Sequence, residues 1–266
     1  MADKIFKIYA YIFAKPFFRF FNTALFKLAL RGLGFYNYQN NYLSGETYFR
    51  NKIFHNIGSK IILDVGANVG SYSIFLSKNQ DAQIYSFEAS PETFKVLQNN
   101  TQNIKNIHPL NFAVSDSITT MKFYDYDDRE FSQHATLYKD VIVDYHKGNT
   151  KEFDVKTTTI DNFAHNNKIS KIDLLKIDVE GHELKVLIGA QHMLETKSIK
   201  AVQFEFTQLN SISRVFFKDI YELLNKNYNL YRLLPTGLLR IKSYLPTEHE
   251  IFGYSNYIGL LKDEVS

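Results

Sequence analysis

An open α/β sheet with helices on both faces is the fold this sequence predicts, and three stretches of chain predict it. Residues 61 to 70 read Ile-Ile-Leu-Asp-Val-Gly-Ala-Asn-Val-Gly, an apolar run that ends in an acid and a glycine-punctuated turn leading into a helical pattern. Residues 83 to 88, Gln-Ile-Tyr-Ser-Phe-Glu, form a second apolar run closed by an acid. Residues 173 to 183, Asp-Leu-Leu-Lys-Ile-Asp-Val-Glu-Gly-His-Glu, form a third that discharges its charged residues at the carboxyl end. Short apolar runs separated by helical patterns indicate strand-helix-strand units and a parallel sheet, whose strands are covered on both sides. Sheets of this kind bind ligands outside the carboxyl ends of their strands.

The elements follow in order. The first 44 residues read as an amphipathic helical extension, and residues 45–266 as one α/β domain. A helix is expected over 48–57, the first strand over 60–65, a helix over 70–78 and the second strand over 83–88. Ser90-Pro91-Glu92 starts the next helix, with Ser90 as N-cap and Pro91 at the first position, and this helix reaches about Asn99. Residues 107–114 read as the third strand and 121–126 as another short one. The polar, aromatic-rich stretch 127–150 is the least regular part and is the candidate substrate-facing insert, with Ser132, His134 and Tyr138 as its polar handles, the alternative being a disordered surface excursion. Asp161 is expected to cap a short helix. The fourth strand should span 172–179, a helix 183–194, the fifth strand 201–206 and a helix 215–225, with strand-like runs near 228–234 and 257–262. In the fifth, Gln203 and Glu205 share one face, where a parallel strand would normally be apolar.

The turn after the first strand specifies a ligand type. Gly66 and Gly70 lack a Cβ and let the backbone turn sharply, while the helix that follows begins with unpaired N–H groups. Glu88 lies roughly 20 residues further on, where a ribose diol is usually held. A dinucleotide fingerprint beginning at Gly66 would need glycines at 68 and 71, but the chain has Asn68 and Ser71 there. With Asp64 two residues before the first glycine, the loop resembles instead the first motif of class I S-adenosylmethionine methyltransferases.

Two motifs carry a narrower resemblance. Asp64 to Gly70, D-V-G-A-N-V-G, and Lys176 to Glu183, K-I-D-V-E-G-x-E, with residues 155–163 just upstream of the second, resemble the FkbM family of methyltransferases. The resemblance covers roughly residues 45–262. Asn68 stands where the wider methyltransferase pattern has its middle glycine, a substitution common in this family. The resemblance implies a Rossmann-like, mixed seven-stranded sheet whose last strand is antiparallel, and S-adenosylmethionine as cofactor. It implies that Asp64, Gly66, Asn68, Gly70 and Glu88 bind that cofactor, with Ala113 and Val114 lining the adenine. Asp178 and Glu180 then lie where the fourth strand opens beside the transferable methyl, to position or deprotonate the acceptor. Lys176 shares a strand face with Asp178 and can offset its charge. His182 is a further candidate base, since imidazole titrates near neutral pH. No metal is assigned. A divalent ion such as Mg would have to use Asp178 and Glu205, by analogy with metal-dependent O-methyltransferases, and no third ligand is evident.

Composition narrows the partners. The 266 residues contain 45% hydrophobic residues, 12 Gly and 5 Pro, enough for one sizeable core. With no Cys there is no disulfide framework, no thiolate metal site and no cysteine nucleophile. A net charge of +3 is too mild to suggest nucleic acid. In the first 35 residues Phe6, Tyr9, Phe13, Phe17 and Phe20 recur at helical spacing among Lys4, Lys7, Lys15 and Arg19. No apolar run reaches the roughly 20 residues of a membrane span, and Lys15, Pro16 and Arg19 interrupt any secretory-signal pattern. Pro16 should divide the segment into two short helices. The expectation is that these pack on their own domain, the alternative being attachment to an anionic membrane surface or a membrane-bound partner. The expected location is the cytoplasm, with peripheral membrane contact as the alternative. The reading is O-methylation of a hydroxyl on a sugar, glycan or related metabolite. The alternatives are a non-sugar or lipid-linked small-molecule acceptor, and a membrane-associated scaffold that keeps the cofactor fold without turnover.

Overall fold

The computed structural model describes the chain except for residues 1, 55, 56, 59, 79–81, 127–136, 138–149 and 263–266. Two helices come first, α1 (Ala2–Phe13) and α2 (Arg19–Gly32), separated at Pro16 as its fixed φ and missing N–H require. They pack on each other. The Phe13 ring lies 4.8 Å from that of Tyr9, 5.0 Å from Phe18 and 5.7 Å from Phe21, and Tyr9 Oη donates to Asn22 Oδ1 at 2.6 Å. Leu30 is the one buried hydrophobic residue in the described part of these two helices. The aromatic stripe was expected to pack against its own domain; it instead remains largely uncovered. Residues 33–37 join the domain: Arg232 donates to the Leu33 carbonyl at 2.9 Å and stacks on Phe35, and Tyr36 N–H donates to the Tyr254 carbonyl at 2.7 Å.

The helix expected over 48–57 begins two residues earlier and is mostly of the wider π type. A single α turn, α3 (Glu46–Tyr48), runs on into a π-helical turn (Phe49–Phe54) that buries both end phenylalanines. The domain then builds β1 (Ile61–Val65), α4 (Ser71–Ser77), β2 (Gln83–Phe87), α5 (Pro91–Thr101), β3 (Ile107–Leu110), β4 (Ala113–Val114), β5 (Thr120–Tyr126), β6 (Thr150–Thr158), α6 (Ile160–Asn166) and β7 (Ile172–Ile177). It continues through α7 (Glu183–Ile188), α8 (Gln191–Glu195), β8 (Ile199–Phe206), α9 (Leu209–Ile212), α10 (Phe217–Leu224), β9 (Tyr228–Leu234), β10 (Gly237–Ile241), α11 (Pro246–His249) and β11 (Ser255–Leu261).

The main sheet has the strand order β10-β9-β11-β8-β7-β1-β2-β3. β1, β2, β3, β7 and β8 are mutually parallel, and β11 runs antiparallel between β8 and β9. The sheet has eight strands rather than the seven expected. The extra strand, β10, folds back from β9 across Pro235-Thr236 as an antiparallel edge, and its exposed Leu239 and Arg240 carry no buried-strand pattern. Alternate residues serve two cores, as a two-residue period requires. Leu63, Leu175 and Val202 pack toward α7, α8 and α10, while Ile62, Leu174 and Ala201 pack toward Phe49, Phe54 and Leu76. In α10, Phe217, Ile220 and Leu224 are buried at helical spacing, each burial contributing about 1.5–3 kcal/mol.

Three other expectations change, the first being that the helix expected over 183–194 is two, α7 and α8. The single strand foreseen over 107–114 is two, because β3 is the sheet edge, where Pro109 is tolerated, and Asn111 then leaves the ladder to donate to the Glu88 carbonyl at 2.8 Å. β4 pairs instead with β6 in a second sheet of order β4-β6-β5. The cap of α6 is Thr159, whose Oγ1 accepts from Asn162 N–H at 3.0 Å. Asp161 lies inside that helix and accepts from the His192 and Met193 N–H groups at 2.9 and 3.0 Å, capping α8.

Candidate functional site

After β3 the chain returns to lay β7 on the other side of β1, and the carboxyl ends of these two strands part at that switch point. A cleft of about 700 Å³, including its open mouth, lies there. Its floor is the turn after β1. Gly66 has φ +82°, and a Cβ on it would collide with the Asp178 carbonyl of the neighbouring strand. This glycine is therefore demanded by the closeness of two strands, a reason additional to ligand approach. Asn68 takes the same left-handed region at φ +52°, which Asn tolerates better than most residues.

Glu88 closes β2 at the rim of the cleft. One carboxyl oxygen accepts from Asn68 N–H at 3.0 Å and the other from Ser90 N–H at 2.8 Å. Both oxygens are thus aimed by backbone and keep further lone pairs for a ligand. Burial pushes this carboxyl up to about 7, although the two N–H groups act against the rise. The walls beside it are Phe87, Phe112, Ala113, Val114, Phe123 and Leu137, apolar and suited to a flat heterocycle. Of the predicted cofactor residues, Gly66, Asn68, Glu88, Ala113 and Val114 line the cleft, and Asp64 and Gly70 do not. Asp64 is fully buried below the turn, where it accepts from Ser73 Oγ at 2.6 Å, and burial raises its pKa. Gly70, φ +87°, abuts Leu97 of α5.

The opposite wall carries Asp178, Glu180 and His182. Lys176 Nζ donates to Asp178 at 2.8 Å and lies 3.9 Å from Asp64. Burial works against its charge, yet Asp178, Asp64 and Glu205 outweigh that and raise its pKa. Glu180 sits at φ +54°, a conformation uncommon for a residue with a long side chain. Gly181 and Val179 N–H groups donate to Glu183 at 3.1 and 3.3 Å, and Asn210 Nδ2 to its other oxygen at 3.0 Å, so the buried Glu183 braces this turn. His182 is buried with Nε2 2.9 Å from Ser115 Oγ, and burial depresses it to about 4. It is neutral at pH 7 and weakly basic, which argues against the general-base role considered for it.

Sequence reasoning missed a buried polar cluster that is coupled to Lys176 and Asp178 without lining the cleft. Glu46, delivered by α3, accepts from Gln203 Nε2 at 3.4 Å, and Gln203 accepts from Tyr72 Oη at 2.5 Å. Burial raises Glu46, and burial followed by the Asp178 charge raises Glu205 well above the usual carboxylate range. Asn256 faces Glu205 across β11–β8 and donates to Tyr254 Oη at 2.9 Å. The misplaced polarity of Gln203 and Glu205 was the one signal in the sequence that pointed here. Ser132, His134 and Tyr138 lie outside the described residues. Among the described residues no group of three or more His, Asp or Glu side chains is arranged to hold a metal ion, and Asp178 is paired with Lys176.

A parallel core of order β3-β2-β1-β7-β8, an antiparallel β11 inserted before β9, a glycine turn after β1 and an acid after β2 define the class I methyltransferase architecture. Within that class, residues 64–233 match the methyltransferase FkbM domain, and the chain belongs to that family. It is 27% identical over 168 residues to the hexuronic acid methyltransferase AglP of Haloferax volcanii, covering 62% of each chain. It is 26% identical over 146 residues to methyltransferase 1 of Beauveria bassiana, covering 48% of this chain and 57% of that one. The chain therefore spans about three fifths of the length of these curated relatives. An O-methyltransferase from Bacillus cereus, solved in complex with SAH, superposes with a TM-score of 0.42 at 12% identity, covering 81% of this chain and 79% of that one. That similarity is too loose to define the fold, which rests on the strand order above.

Proposed function

We propose that this chain transfers the methyl group of S-adenosylmethionine to a hydroxyl of a sugar or glycan. The observation that carries the reading is Glu88, a carboxylate whose two oxygens are aimed by backbone N–H groups into a cleft with apolar walls on one side and Asp178 and Glu180 on the other. A ribose diol fits the free lone pairs of Glu88, and Phe112, Ala113 and Val114 suit an adenine. The likeness to a hexuronic acid methyltransferase supports a sugar acceptor.

S-adenosylmethionine, which Gly66, Asn68, Glu88, Ala113 and Val114 would hold, would supply a sulfonium methyl that can pass to oxygen with the sulfur keeping the electron pair. The residues here orient the acceptor and take its proton. The ion pair with Lys176 orients Asp178 at the cleft, where it can accept the hydroxyl proton, with Glu180 as the nearby second carboxylate. Most of the rate gain in such a displacement is positional. A lipid-linked acceptor is a second reading, favoured by the uncovered aromatic and basic N-terminal hairpin.

The test has two arms. Calorimetric titration should give S-adenosylmethionine and its demethylated product clear binding and NAD none. A cofactor-product release assay against partly methylated and unmethylated glycans should then show turnover with an unmethylated sugar hydroxyl. Equal affinity for NAD removes the cofactor assignment, and turnover confined to non-carbohydrate acceptors removes the sugar.

A further inference from the structure

Uncovered apolar surface is concentrated ahead of the domain. Of the 21 large apolar side chains exposed among the described residues, thirteen lie between Ile5 and Leu33. Phe17 is 88% exposed, Phe20 87% and Phe6 70%. The interior of the α1–α2 hairpin is already filled by the Tyr9, Phe13, Phe18 and Phe21 rings, so these residues are surplus to its packing. Soluble surfaces rarely leave contiguous apolar patches of this kind without a partner.

Charge selects the partner. Over residues 1–33 six cations, Lys4, Lys7, Lys15, Arg19, Lys27 and Arg31, stand against one acid, Asp3. The chain carries only +3 in all, so this segment holds the positive charge and the remainder is slightly negative. A second copy would bring the same positive surface against itself, which like-charge repulsion disfavours. Bulky aromatic residues mixed with Lys and Arg suit the boundary between lipid headgroups and acyl chains. α1 has 12 residues and α2 has 14, and no described helix is long and apolar enough to cross a membrane, so the hairpin can lie on a bilayer without spanning it.

We infer that the α1–α2 hairpin is a docking surface for an anionic lipid membrane. Aromatic side chains such as Phe17 and Phe20 enter the interface while the six cations meet the headgroups. The root of the hairpin is tied to the strands beside the acceptor wall, through Arg232 to the Leu33 carbonyl and Tyr36 to the Tyr254 carbonyl. Docking therefore holds that wall at a fixed relation to the lipid surface.

The full chain is mixed with vesicles of phosphatidylcholine alone and of phosphatidylcholine with phosphatidylglycerol, and the bound fraction is read by flotation. Binding to the anionic vesicles only, released as salt shortens the screening length, is the expected result. Lys4→Glu/Lys7→Glu/Lys27→Glu should weaken it by roughly 10²-fold or more, each cation near an anionic leaflet contributing about a factor of five. Phe17→Ser/Phe20→Ser should abolish it at moderate salt. Both variants alter exposed residues, so melting temperature and S-adenosylmethionine affinity should stay at the parent values. Equal binding of parent and variants, or absence of the parent from anionic vesicles at low salt, overturns the inference. So does a parent dimer in sedimentation equilibrium that the Phe variant converts to monomer without any vesicle binding.

Discussion

On the β1–β2 side of the cleft Glu88 is held by the N–H groups of Asn68 and Ser90, whereas on the β7–β8 side Asp178 is held by Lys176, itself surrounded by side chains from β1, β8 and the segment before β1. The first arrangement depends on backbone and stays within one strand-helix-strand unit, since Ser90 is two residues away and Asn68 lies in the turn between β1 and α4. The second depends on charge balance among groups far apart in the chain. The partners of Glu88 are few and uncharged, so substitutions on the first side should act mainly on ligand binding. On the second side they should spread, because each charge there is tolerated only while its partners remain.

The sharpest test of that difference is Lys176→Met. It leaves Asp64 buried and Asp178 without its cation, and should destabilise the protein by about 3–5 kcal/mol in urea unfolding. A loss under about 1 kcal/mol would mean that the acceptor wall is no more coupled than the cofactor wall. Asp178→Asn and Glu180→Gln come next. Turnover with a true acceptor should fall by at least roughly 10²-fold in one of them while S-adenosylmethionine affinity stays near the parent value. Unchanged turnover in both returns these carboxylates to a structural role, and loss on chelation restored by Mg²⁺ would bring the metal back.

Glu88→Ala should weaken S-adenosylmethionine by about 1.5–3 kcal/mol in calorimetry, as expected for hydrogen bonds to a charged group, with acceptor KM little changed. A comparable effect on both ligands would erase the division between the walls. The smallest effect is that of pH. An acid whose folded pKa is raised to about 7 keeps its proton below that value, so the Glu88 carboxylate that a diol prefers appears only as pH rises through about 7. Cofactor affinity should therefore fall roughly tenfold between pH 7.5 and 5.5. The sign for stability is the reverse: the contribution of this group is fully present below its unfolded value of 4.5 and is lost as pH rises through about 7. Glu88→Gln should flatten the binding profile. A profile that keeps its slope in that variant assigns the titration to another group.

Most of the cofactor wall could be read along the chain because its parts are close in sequence. β1, the glycine turn, α4, β2 and its terminal acid follow one another within one strand-helix-strand unit, marked by apolar runs, φ-permissive residues and a terminal charge. The same locality made the start of α5 at Ser90-Pro91 readable, and there the Ser90 side chain accepts from Thr93 N–H. The parallel character of β1, β2, β7 and β8 followed from their continuous apolar runs, which only a sheet covered on both faces can bury.

Tertiary structure alone decided the rest. Glu46 reaches Gln203 across 157 residues of chain, and no local pattern marks a lone glutamate before the first strand as a partner of β8. The burial that makes His182 a weak base comes from the packing around it, which a motif cannot display. Edge position, not β propensity, divided 107–114 into β3 and β4 and added β10 to the sheet. The N-terminal stripe shows the limit most plainly. Its amphipathic period was legible residue by residue, but whether an apolar face is covered depends on what the fold brings opposite it, and here the fold brings nothing to most of it. Periodicity sets which side chains share a face; the surrounding three-dimensional packing sets whether that face becomes core, site or contact surface.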